Sequence, residues 1–343
     1  MDVFSSLGGE YEQVVFGSNP DSGLRTIVAV YSTALGPALG GTRFWPFPTE
    51  EAAFHDVLRL AKAMAYKASA AGLDLGGGKA VVIGDPKRDK TPELLRAYGR
   101  VVERMAGSYI TTADVGTSSA DMDVIAETTR YVTGTTTGSG DPSKVTAYGV
   151  LHGIRAVAAE LWGDPSLRGR RIAVQGVGKV GGALARYLAE DGALITLSDI
   201  DTEAAGKLAA ELGAEVGDPD SALFVECDIL APCALGPVVT DATLPGLRCR
   251  AIAGAANNQL ERPSHGDALV QAGILYAPDY VINAGGLINV ADELHGYDSE
   301  RAHASTAAIG DRLTQIFARA REEKVSPAVA ADRYAEDRIR SAV

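Results

Sequence analysis

The sequence predicts an α/β protein of two domains, an N-terminal α/β domain and a doubly wound domain, with a cleft between them. The chain has 343 residues, which is enough for two hydrophobic cores. Short apolar runs rich in β-branched residues alternate with longer runs of helical spacing. In the second half, a turn of the pattern G-x-G-x-x-G connects an apolar run to a helical one, as is typical of doubly wound sheets.

The composition is ordinary for a globular protein, with 46% hydrophobic and 22% charged residues. The formal net charge of -12 argues against nucleic acid or an anionic membrane as a partner. No apolar run reaches membrane-spanning length, and no signal-peptide pattern opens the chain. Cys227, Cys233 and Cys249 are odd in number and lack metal-ligand spacing. We therefore expect reduced thiols, no metal site and a cytoplasmic location.

The first domain is predicted over residues 1–135 and begins with a sheet. Two runs rich in valine and isoleucine flank a turn-rich segment, which predicts two strands. Thr49 and Thr91 are predicted N-caps with glutamate in the first turn, and Gly72 and Gly107 end these two helices. The predicted elements are strands at 11–16, 25–32, 80–83 and 109–112, and helices at 49–72, 91–107 and 120–129.

Three consecutive glycines, at positions 76–78, stand just ahead of the predicted strand 80–83 and are followed by Lys79. Glycines leave space beside the backbone, so Lys79 can project into a pocket. Twelve residues earlier, Lys67 lies at the edge of a helical apolar stripe. Two ammonium groups held near each other repel, and partial burial adds to this, so one can lose its proton near neutral pH and act as a base. The alternatives are a flexible loop with a solvated Lys79, and a Lys67 that extends into water.

Further candidates lie on either side of these lysines. Gly40 and Gly41 also permit close approach of a ligand to the backbone. Asp114 follows the predicted strand 109–112 and precedes a glycine turn. Such an acid is either a turn former or a carboxylate that faces the lysines and holds one of them charged. The Gly/Ser/Thr-rich stretch at 133–143 is the predicted hinge.

The second domain, over residues 136–325, has the pattern of a Rossmann dinucleotide-binding fold. Its glycine-rich turn follows a predicted strand and opens a helix, so a pyrophosphate would lie at the helix N-terminus. The next strand leads to Asp199, which is spaced to bind the ribose hydroxyls. No arginine stands beside it to bind a 2′-phosphate, which favours NAD over NADP. The predicted loop residues are Gly176, Gly178, Lys179, Val180 and Gly181.

Later strands of this domain end beside residues that we expect to face the nicotinamide. Ligands lie at the carboxyl ends of the strands in a doubly wound sheet, which points to Ala234, Asn257 and Asn283. The asparagines can read a substrate amine or be turn residues only. We expect the last helix, 326–343, to pack on the first domain. The predicted strands lie at 171–175, 193–197, 228–230, 251–253 and 274–276, and the helices at 145–161, 183–190, 300–323 and 326–343.

Seven segments spread over nearly the whole chain together resemble the amino acid dehydrogenase family that includes the glutamate, leucine, valine and phenylalanine enzymes. The resemblance is greatest to the leucine and valine branch, and the combination is not expected by chance. The segments are LGGTR at 39–43, GGGK at 76–79, DVGT at 114–117, VTAYG at 145–149, APCAL at 231–235, AANNQ at 255–259 and NAGG at 283–286.

The resemblance implies a reversible reaction with NAD as cofactor. A hydride passes from the α-carbon of an L-amino acid to NAD, water activated by Lys79 attacks the imine, and ammonia and a 2-oxo acid are released. It further implies that Lys67 binds the substrate carboxylate, that Lys79 has a depressed pKa and that Asp114 relays protons at the amino group. Thr146 and Asn257 would hold nicotinamide and substrate in the cleft. The resemblance also implies that Gly40 and Gly41 contact the substrate.

The side-chain pocket implied by the resemblance is formed by Leu39, Thr112, Leu287 and Val290. A glutamate enzyme would need a cation at position 39, so the leucine there favours a neutral aliphatic substrate. Compared with the leucine enzymes, Thr112 replaces an alanine and Leu287 a valine. One methylene in such a pocket changes discrimination by only about 1–3 kcal/mol. Valine, leucine, isoleucine and 2-aminobutyrate therefore all remain open.

Other functions compete with this prediction. A phenylalanine or other aromatic amino acid dehydrogenase is the alternative within the family. A non-catalytic NAD-binding sensor is the alternative from another class, but Lys67, Lys79 and Asp114 are all present, which argues against it. A hydroxy acid dehydrogenase would need a histidine base near the nicotinamide, and no histidine stands in such a motif. The family also implies a homo-oligomer, with dimer and octamer both open.

Overall fold

The computed structural model describes residues 3–342, which form two compact units. The first unit contains the described residues up to Gly140, then Val290–Ser299, and finally the residues from Ala335 onward. The second unit contains Asp141–Asn289 and Glu300–Tyr334. Each unit has its own β-sheet.

The helices and strands alternate along both units. Up to Gly140 they are α1 (Val3–Leu7), β1 (Gln13–Asn19), β2 (Leu24–Ser32), β3 (Ala38–Trp45), α2 (Glu50–Ala70), β4 (Gly76–Ile83), α3 (Pro92–Arg104), β5 (Tyr109–Ala113) and α4 (Ser119–Ala126). They continue with α5 (Ser143–Trp162), β6 (Arg171–Gln175), α6 (Lys179–Glu190), β7 (Leu194–Ser198), α7 (Thr202–Leu212), β8 (Glu215–Val216), β9 (Ile229–Pro232), β10 (Ala251–Ile252), α8 (Ser264–Gln271), β11 (Leu275–Tyr276), α9 (Asp279–Ile282), α10 (Gly285–Asp292), α11 (Ser299–Ala307), α12 (Ile309–Glu323) and α13 (Pro327–Arg340).

The sheet of the first unit has the strand order β1-β2-β4-β3-β5. Strand β2 runs antiparallel to β1 and β4, whereas β3, β4 and β5 are parallel to one another. Successive side chains of β2 point to opposite faces. Ile27 packs with Phe54 of α2, and Val28 packs with Tyr98 of α3. Both faces of this sheet are therefore covered by helices, and the carboxyl ends of its parallel strands lie along one edge.

Strand β3 was not predicted, because its glycine pair suggested a site of ligand approach and not a strand. The prediction that the triple glycine precedes β4 is wrong, since β4 begins at Gly76. A Cβ atom on Gly77 would lie 2.0 Å from the backbone nitrogen of Ala65. Helix α2 therefore crosses β4 so closely that only glycine fits, and the glycines serve packing inside the strand.

The sheet of the second unit has the order β11-β10-β9-β6-β7-β8, and the neighbouring strands described in it are parallel. The strand order moves outward from β6 in both directions, which is the doubly wound arrangement. This confirms the predicted α/β fold class with a Rossmann-like second half. Helices α7 and α8 complete the alternation at places where the sequence analysis had assigned none.

The predicted helix at 300–323 is wrong in one respect, because the structure divides it into α11 and α12 at Ala308. The Thr306 hydroxyl donates to the carbonyl oxygen of Ala302 at 2.7 Å. Such a bond to the preceding turn competes with the helical backbone and favours a bend. No proline marks this position and Gly310 lies inside the next helix, so the helical pattern of the sequence continues across the break.

The C-terminal end of α13 is bound to residues around the end of α2, within the first unit. The Ser69 hydroxyl donates to the carbonyl of Ala335 at 2.8 Å. Arg338 donates to the carbonyl of Leu73 at 2.6 Å and pairs with Asp74 at 2.7 Å. Across residues 3–342, none of the helices is both long and apolar enough to cross a membrane.

Candidate active site

A buried ion pair joins Lys79, in the middle of β4, to Asp114, at the carboxyl end of β5. Lys79 lies within β4, and Asp114 directly follows β5. The Lys79 Nζ atom is 2.8 Å from Asp114 Oδ2, and the Lys79 side chain is only 6% exposed. The structure therefore excludes a solvated Lys79 on a flexible loop. It also places the Asp114 carboxylate against a lysine, which was one of the two predictions for Asp114; the other was that it only forms a turn.

Gly41 of β3 leaves the space in which this pair lies, and Gly40 beside it lets β3 approach β4. A Cβ atom on Gly41 would be 2.7 Å from Asp114 Cβ and 3.2 Å from Lys79 Nζ. A Cβ atom on Gly40 would be 1.7 Å from the carbonyl oxygen of Gly78. Real Cβ atoms do not approach other atoms so closely, so both positions require glycine. The contacts that the structure gives for Gly40 and Gly41 are thus with the chain itself.

The turn after β5 fixes the position of Asp114. Its backbone N–H donates to the Thr117 hydroxyl at 2.9 Å, and that hydroxyl lies 2.8 Å from the carbonyl oxygen of Thr42 in β3. Gly116 has a φ of 82°, and its carbonyl accepts from Lys90 at 3.1 Å. Asp114 is therefore part of a rigid turn as well as of the ion pair.

The two charged groups change each other's protonation. Burial lowers the pKa of Lys79 from its ordinary value, and the nearby Asp114 carboxylate only partly opposes that shift. Burial by itself would raise the pKa of Asp114, but the charge of Lys79 and its hydrogen bond lower the pKa overall. A buried lysine with a lowered pKa, next to an ionised carboxylate, can release and accept a proton more readily than an exposed lysine does.

Lys67 lies in the last turn of α2 and is half-buried. The helix crosses β4 where Ala65 packs on Gly77, and these residues are each two positions from Lys67 and Lys79. The turn that carries Lys67 therefore lies against the strand that carries Lys79. Its predicted role at a substrate carboxylate stays a prediction.

Arg43 is a charged residue of this site that the sequence analysis missed as a functional group. Its Nε atom is 3.2 Å from Asp114 Oδ2, and its Nη1 atom is 2.9 Å from Asp56 Oδ2 in α2. Side chains alternate along a strand, so Arg43 shares a face of β3 with Gly41. Recognising β3 as a strand would have revealed this neighbour of Asp114.

A cavity of about 450 Å³ opens beside Arg43 in the first unit. It is lined by Arg43, Trp45, Phe47, Asp56 and Val115. Trp45 is 47% exposed and Val115 is 48% exposed, so both present apolar surface to this space. The charged groups of the site therefore adjoin an open space with aromatic walls.

In the second unit, the loop after β6 has the geometry that a pyrophosphate requires. Gly176 has a φ of 94°, and a Cβ atom on Gly181 would lie 1.9 Å from the Gly176 carbonyl oxygen. Gly178 caps the N-terminus of α6, and the space around its missing side chain is open to 4 Å. Two glycines thus permit the tight turn and helix packing, and one leaves space where helix N–H groups can meet phosphate. These residues fit a dinucleotide.

Asp199 lies one residue beyond β7 and is held by the same loop. Its Oδ2 accepts from the Val177 N–H at 2.6 Å, and its Oδ1 accepts from the Asp201 N–H at 2.9 Å. Lys179 is the first residue of α6, with its side chain 80% exposed and 2.8 Å from Asp141. Val180 follows it in the first helical turn and is half-buried. The structure thus joins Asp199 to the glycine loop and gives Lys179 a carboxylate partner.

Other residues predicted at the cofactor also gather in the second unit. Asn283 Nδ2 donates to Asn257 Oδ1 at 2.8 Å and to the carbonyl oxygen of Ala255 at 3.1 Å. The Ala234 backbone nitrogen would lie 2.8 Å from a Cβ atom on Gly176, so Ala234 adjoins the glycine loop. On α5, the Thr146 hydroxyl would lie 2.9 Å from a Cβ atom on Gly286.

The four residues predicted for the side-chain pocket are distributed over β3, β5 and α10. Leu39 is fully buried, and Thr112 is half-buried opposite Gly41 in the sheet. Leu287 and Val290 are one helical turn apart on α10 and therefore share a face of it. The assignment of these four side chains to a substrate stays a prediction.

Comparison with known proteins identifies relatives along the whole chain. The family model described as "Glu/Leu/Phe/Val dehydrogenase, dimerisation domain" matches residues 11–131. The model described as "Glutamate/Leucine/Phenylalanine/Valine dehydrogenase" matches residues 137–216 and 202–342.

Individual relatives agree with this assignment. The chain is 52% identical to leucine dehydrogenase of Geobacillus stearothermophilus over 96% of its own length and 91% of that protein. It is 50% identical to valine dehydrogenase of Streptomyces virginiae over 99% of its length and 97% of that protein. The crystal structure of L-tryptophan dehydrogenase from Nostoc punctiforme has a TM-score of 0.91 and 43% identity, with 99% of both chains covered. The predicted resemblance is confirmed: this chain belongs to the Glu/Leu/Phe/Val dehydrogenase family.

Proposed function

We propose that this protein catalyses the reversible, NAD-dependent oxidative deamination of a neutral, branched-chain aliphatic L-amino acid to the 2-oxo acid and ammonia. The observation that carries the proposal is the buried Lys79–Asp114 pair, in which the lysine pKa is lowered. An acid–base pair of this kind is what deamination needs, because protons must move at both the α-carbon substituents and the attacking water. The leucine and valine dehydrogenases among its relatives support the substrate class.

The residues of the first unit would act in a fixed order. Lys67 provides a cation for the substrate carboxylate, and the amino group lies near Asp114, which exchanges protons with it. After the α-carbon has been oxidised to the imine, neutral Lys79 takes a proton from the attacking water. Asp114, which accepts a proton from the substrate ammonium group before the oxidation, returns that proton to the amino group as ammonia leaves. In the reverse direction, protonated Lys79 donates a hydrogen bond to the carbonyl oxygen of the 2-oxo acid and stabilises its developing negative charge.

The second unit would bind NAD along the glycine loop and Asp199. Bound NAD supplies the hydride acceptor for the α-carbon hydrogen. The open space at Gly178 and the exposed N-terminus of α6 support a pyrophosphate there, with Lys179 and Val180 in the first turn. Asp199 would accept hydrogen bonds from the ribose hydroxyls, and its negative charge would repel a 2′-phosphate. Thr146, Ala234, Asn257 and Asn283 would face the nicotinamide and substrate, as the sequence predicts.

The preference for an aliphatic side chain follows from the four pocket residues. Leu39 is an apolar, buried residue where a glutamate enzyme would need a cation. Thr112, Leu287 and Val290 add one hydroxyl and two aliphatic side chains. The likeness to the tryptophan enzyme of Nostoc punctiforme favours an aromatic substrate as the second candidate.

We also propose a homo-oligomer in the cytoplasm. The family model that matches residues 11–131 is described as a dimerisation domain, which supports self-association of the first unit. All three cysteines are free thiols, as expected in a reducing compartment.

Replacement of Lys79 by alanine tests the chemistry. We expect kcat for amino-acid-dependent NADH formation to fall about 10²–10⁴-fold, because the general base is lost, while NADH binding is retained. Lys62→Ala is a matched control, since Lys62 is also on the first unit but pairs with Glu10 at the surface. Substantial turnover by the Lys79→Ala protein would remove the proposed base. NADH binding without turnover by the unmodified protein would favour the sensor alternative.

A further inference from the structure

We propose that Arg43 is a positioning residue that shares one oxygen of Asp114 with Lys79 and so keeps Lys79 able to release its proton. This inference rests on the proposed acid–base role of Lys79. It adds Arg43, the last residue of the LGGTR segment, to the residues that serve that role. It is carried by the geometry of a chain of alternating charges on β3, β4, the β5 turn and α2.

The chain of charges runs from the buried centre to the surface. Lys79 and Arg43 both bind Asp114 Oδ2, at 2.8 and 3.2 Å. Arg43 continues to Asp56 Oδ2 at 2.9 Å, and Arg59 binds Asp56 Oδ1 at 2.8 Å. Side-chain exposure rises from 6% at Lys79 to 23% at Asp114 and Arg43, and reaches 57% at Arg59. Asp114, Arg43 and Asp56 each lie between two partners of opposite charge. Lys79 forms the buried end of the chain of charges, and Arg59 forms its exposed end.

Charge balance explains why Arg43 matters to a base. With Lys79 protonated, the set has three positive and two negative groups; with Lys79 neutral, the set as a whole is neutral. Without Arg43, loss of the Lys79 proton would leave a net negative charge in a poorly solvated place, which is unfavourable. Arg43 therefore favours neutral Lys79, and it does so while Asp114 stays ionised.

Sharing of the oxygen also limits the strength of the Lys79–Asp114 pair. An isolated, desolvated ion pair would hold the lysine proton firmly. Here a guanidinium, which does not release its proton, competes for the same lone pairs and fixes the carboxylate from a second direction. Asp56 and Arg59 keep the Arg43 side chain extended towards Asp114.

The other groups around Lys79 do not fill this role. Asp56 on α2 acts in the opposite sense, since its negative charge favours protonated Lys79. Lys67 is on the turn of α2 that crosses β4, and substrate would pair with it. On β2, the residue opposite Lys79 is Ala29, which has no ionisable group. Among these groups, Arg43 is the cation beside the ion pair that is not proposed to bind the substrate.

Three variants with opposite expectations test the proposal. In Arg43→Met, the rising limb of kcat/KM against pH for amino acid oxidation should move to higher pH, and kcat should fall on the order of 10- to 100-fold because Asp114 is less well placed. In Asp56→Asn, the limb should move to lower pH. In Arg43→Lys, the positive charge is restored and the limb should return towards that of the unmodified protein.

Arg96→Met is the matched control, because Arg96 pairs with Glu127 on the surface of the same unit. It should leave the limb in place. A merely structural role for Arg43 would lower kcat without moving the limb, or would move it in the same direction in Arg43→Met and Asp56→Asn. Either result would overturn the proposal.

A second readout separates this proposal from the proposed function. The extent of acetylation of Lys79 by acetic anhydride, measured by mass spectrometry over a range of pH, reports its protonation without turnover. The midpoint should move up in Arg43→Met and down in Asp56→Asn. Correct shifts in an inactive protein would contradict the proposed reaction only, whereas turnover with unshifted midpoints would contradict the role of Arg43 only.

Discussion

Replacement of Gly41 by alanine adds one methyl group beside the Lys79–Asp114 ion pair. The new Cβ atom would lie 2.7 Å from Asp114 Cβ, 3.0 Å from the Ala113 carbonyl oxygen and 3.2 Å from Lys79 Nζ. Carbon atoms pack best at about 3.5–4.0 Å, so Asp114 would have to move by about 1 Å. A displacement of that size at reacting groups costs about 100-fold in rate.

The cost in stability should be much smaller than the cost in activity. Overpacking of this kind typically destabilises by about 1–3 kcal/mol, which leaves a folded protein in most cases. We therefore expect Gly41→Ala to lose about 100-fold in kcat for amino acid oxidation, with NADH affinity unchanged. The assays are steady-state NADH formation, NADH titration by fluorescence and thermal unfolding.

Gly206→Ala is the control, because Gly206 lies within α7 and no atom is within 4 Å of its missing side chain. Alanine should stabilise that helix by roughly 0.5–1 kcal/mol and leave kcat unchanged. Wild-type kcat in a folded Gly41→Ala protein would refute the reasoning, since it would mean that the ion pair tolerates displacement.

Two further predictions concern the cofactor and the pH dependence. Asp199→Ala should raise the KM for NAD far more than the KM for the amino acid, because the carboxylate that would bind the ribose is lost; steady-state kinetics with an unchanged KM for NAD would contradict the ribose assignment. The rate of amino acid oxidation should rise with pH as Lys79 loses its proton. Because burial lowers the pKa of Lys79, the rising limb of kcat/KM against pH should lie below the ordinary lysine value of 10.5. A limb at or above that value would argue against Lys79 as the base.

Much of the fold was predictable because its signals are local. The β-branched runs of β2, the threonine caps at Thr49 and Thr91, and the glycine turn before α6 each determine their own conformation. Strand β3 was missed because Gly40 and Gly41 have low strand propensity, and only contacts with Gly78 and Asp114 explain why they are there. The break at Ala308 was missed because the helical apolar spacing continues across it, and the bond from Thr306 to Ala302 is seen only in the structure.

The candidate site was predictable in its residues but not in its connections. Lys79 follows three glycines and Asp114 follows a predicted strand beside a glycine turn, which is a pattern that sequence reasoning can recognise. Arg43 was not recognised as part of the site because its face on β3 depends on the strand being known. Its second bond, to Asp56, joins an unpredicted strand to a helix and so depends on tertiary packing.

The proposed reaction is tested directly by NADH formation by the unmodified protein at alkaline pH, with NADP in place of NAD as a control. The amino acids to compare are valine, leucine, isoleucine, 2-aminobutyrate, phenylalanine, tryptophan and glutamate. We expect turnover with NAD and the highest kcat/KM for a branched-chain aliphatic amino acid. A preference for phenylalanine or tryptophan would contradict the pocket assigned to Leu39, Thr112, Leu287 and Val290. No turnover with any of these amino acids, in a protein that still binds NADH, would contradict the claim that it is an amino acid dehydrogenase.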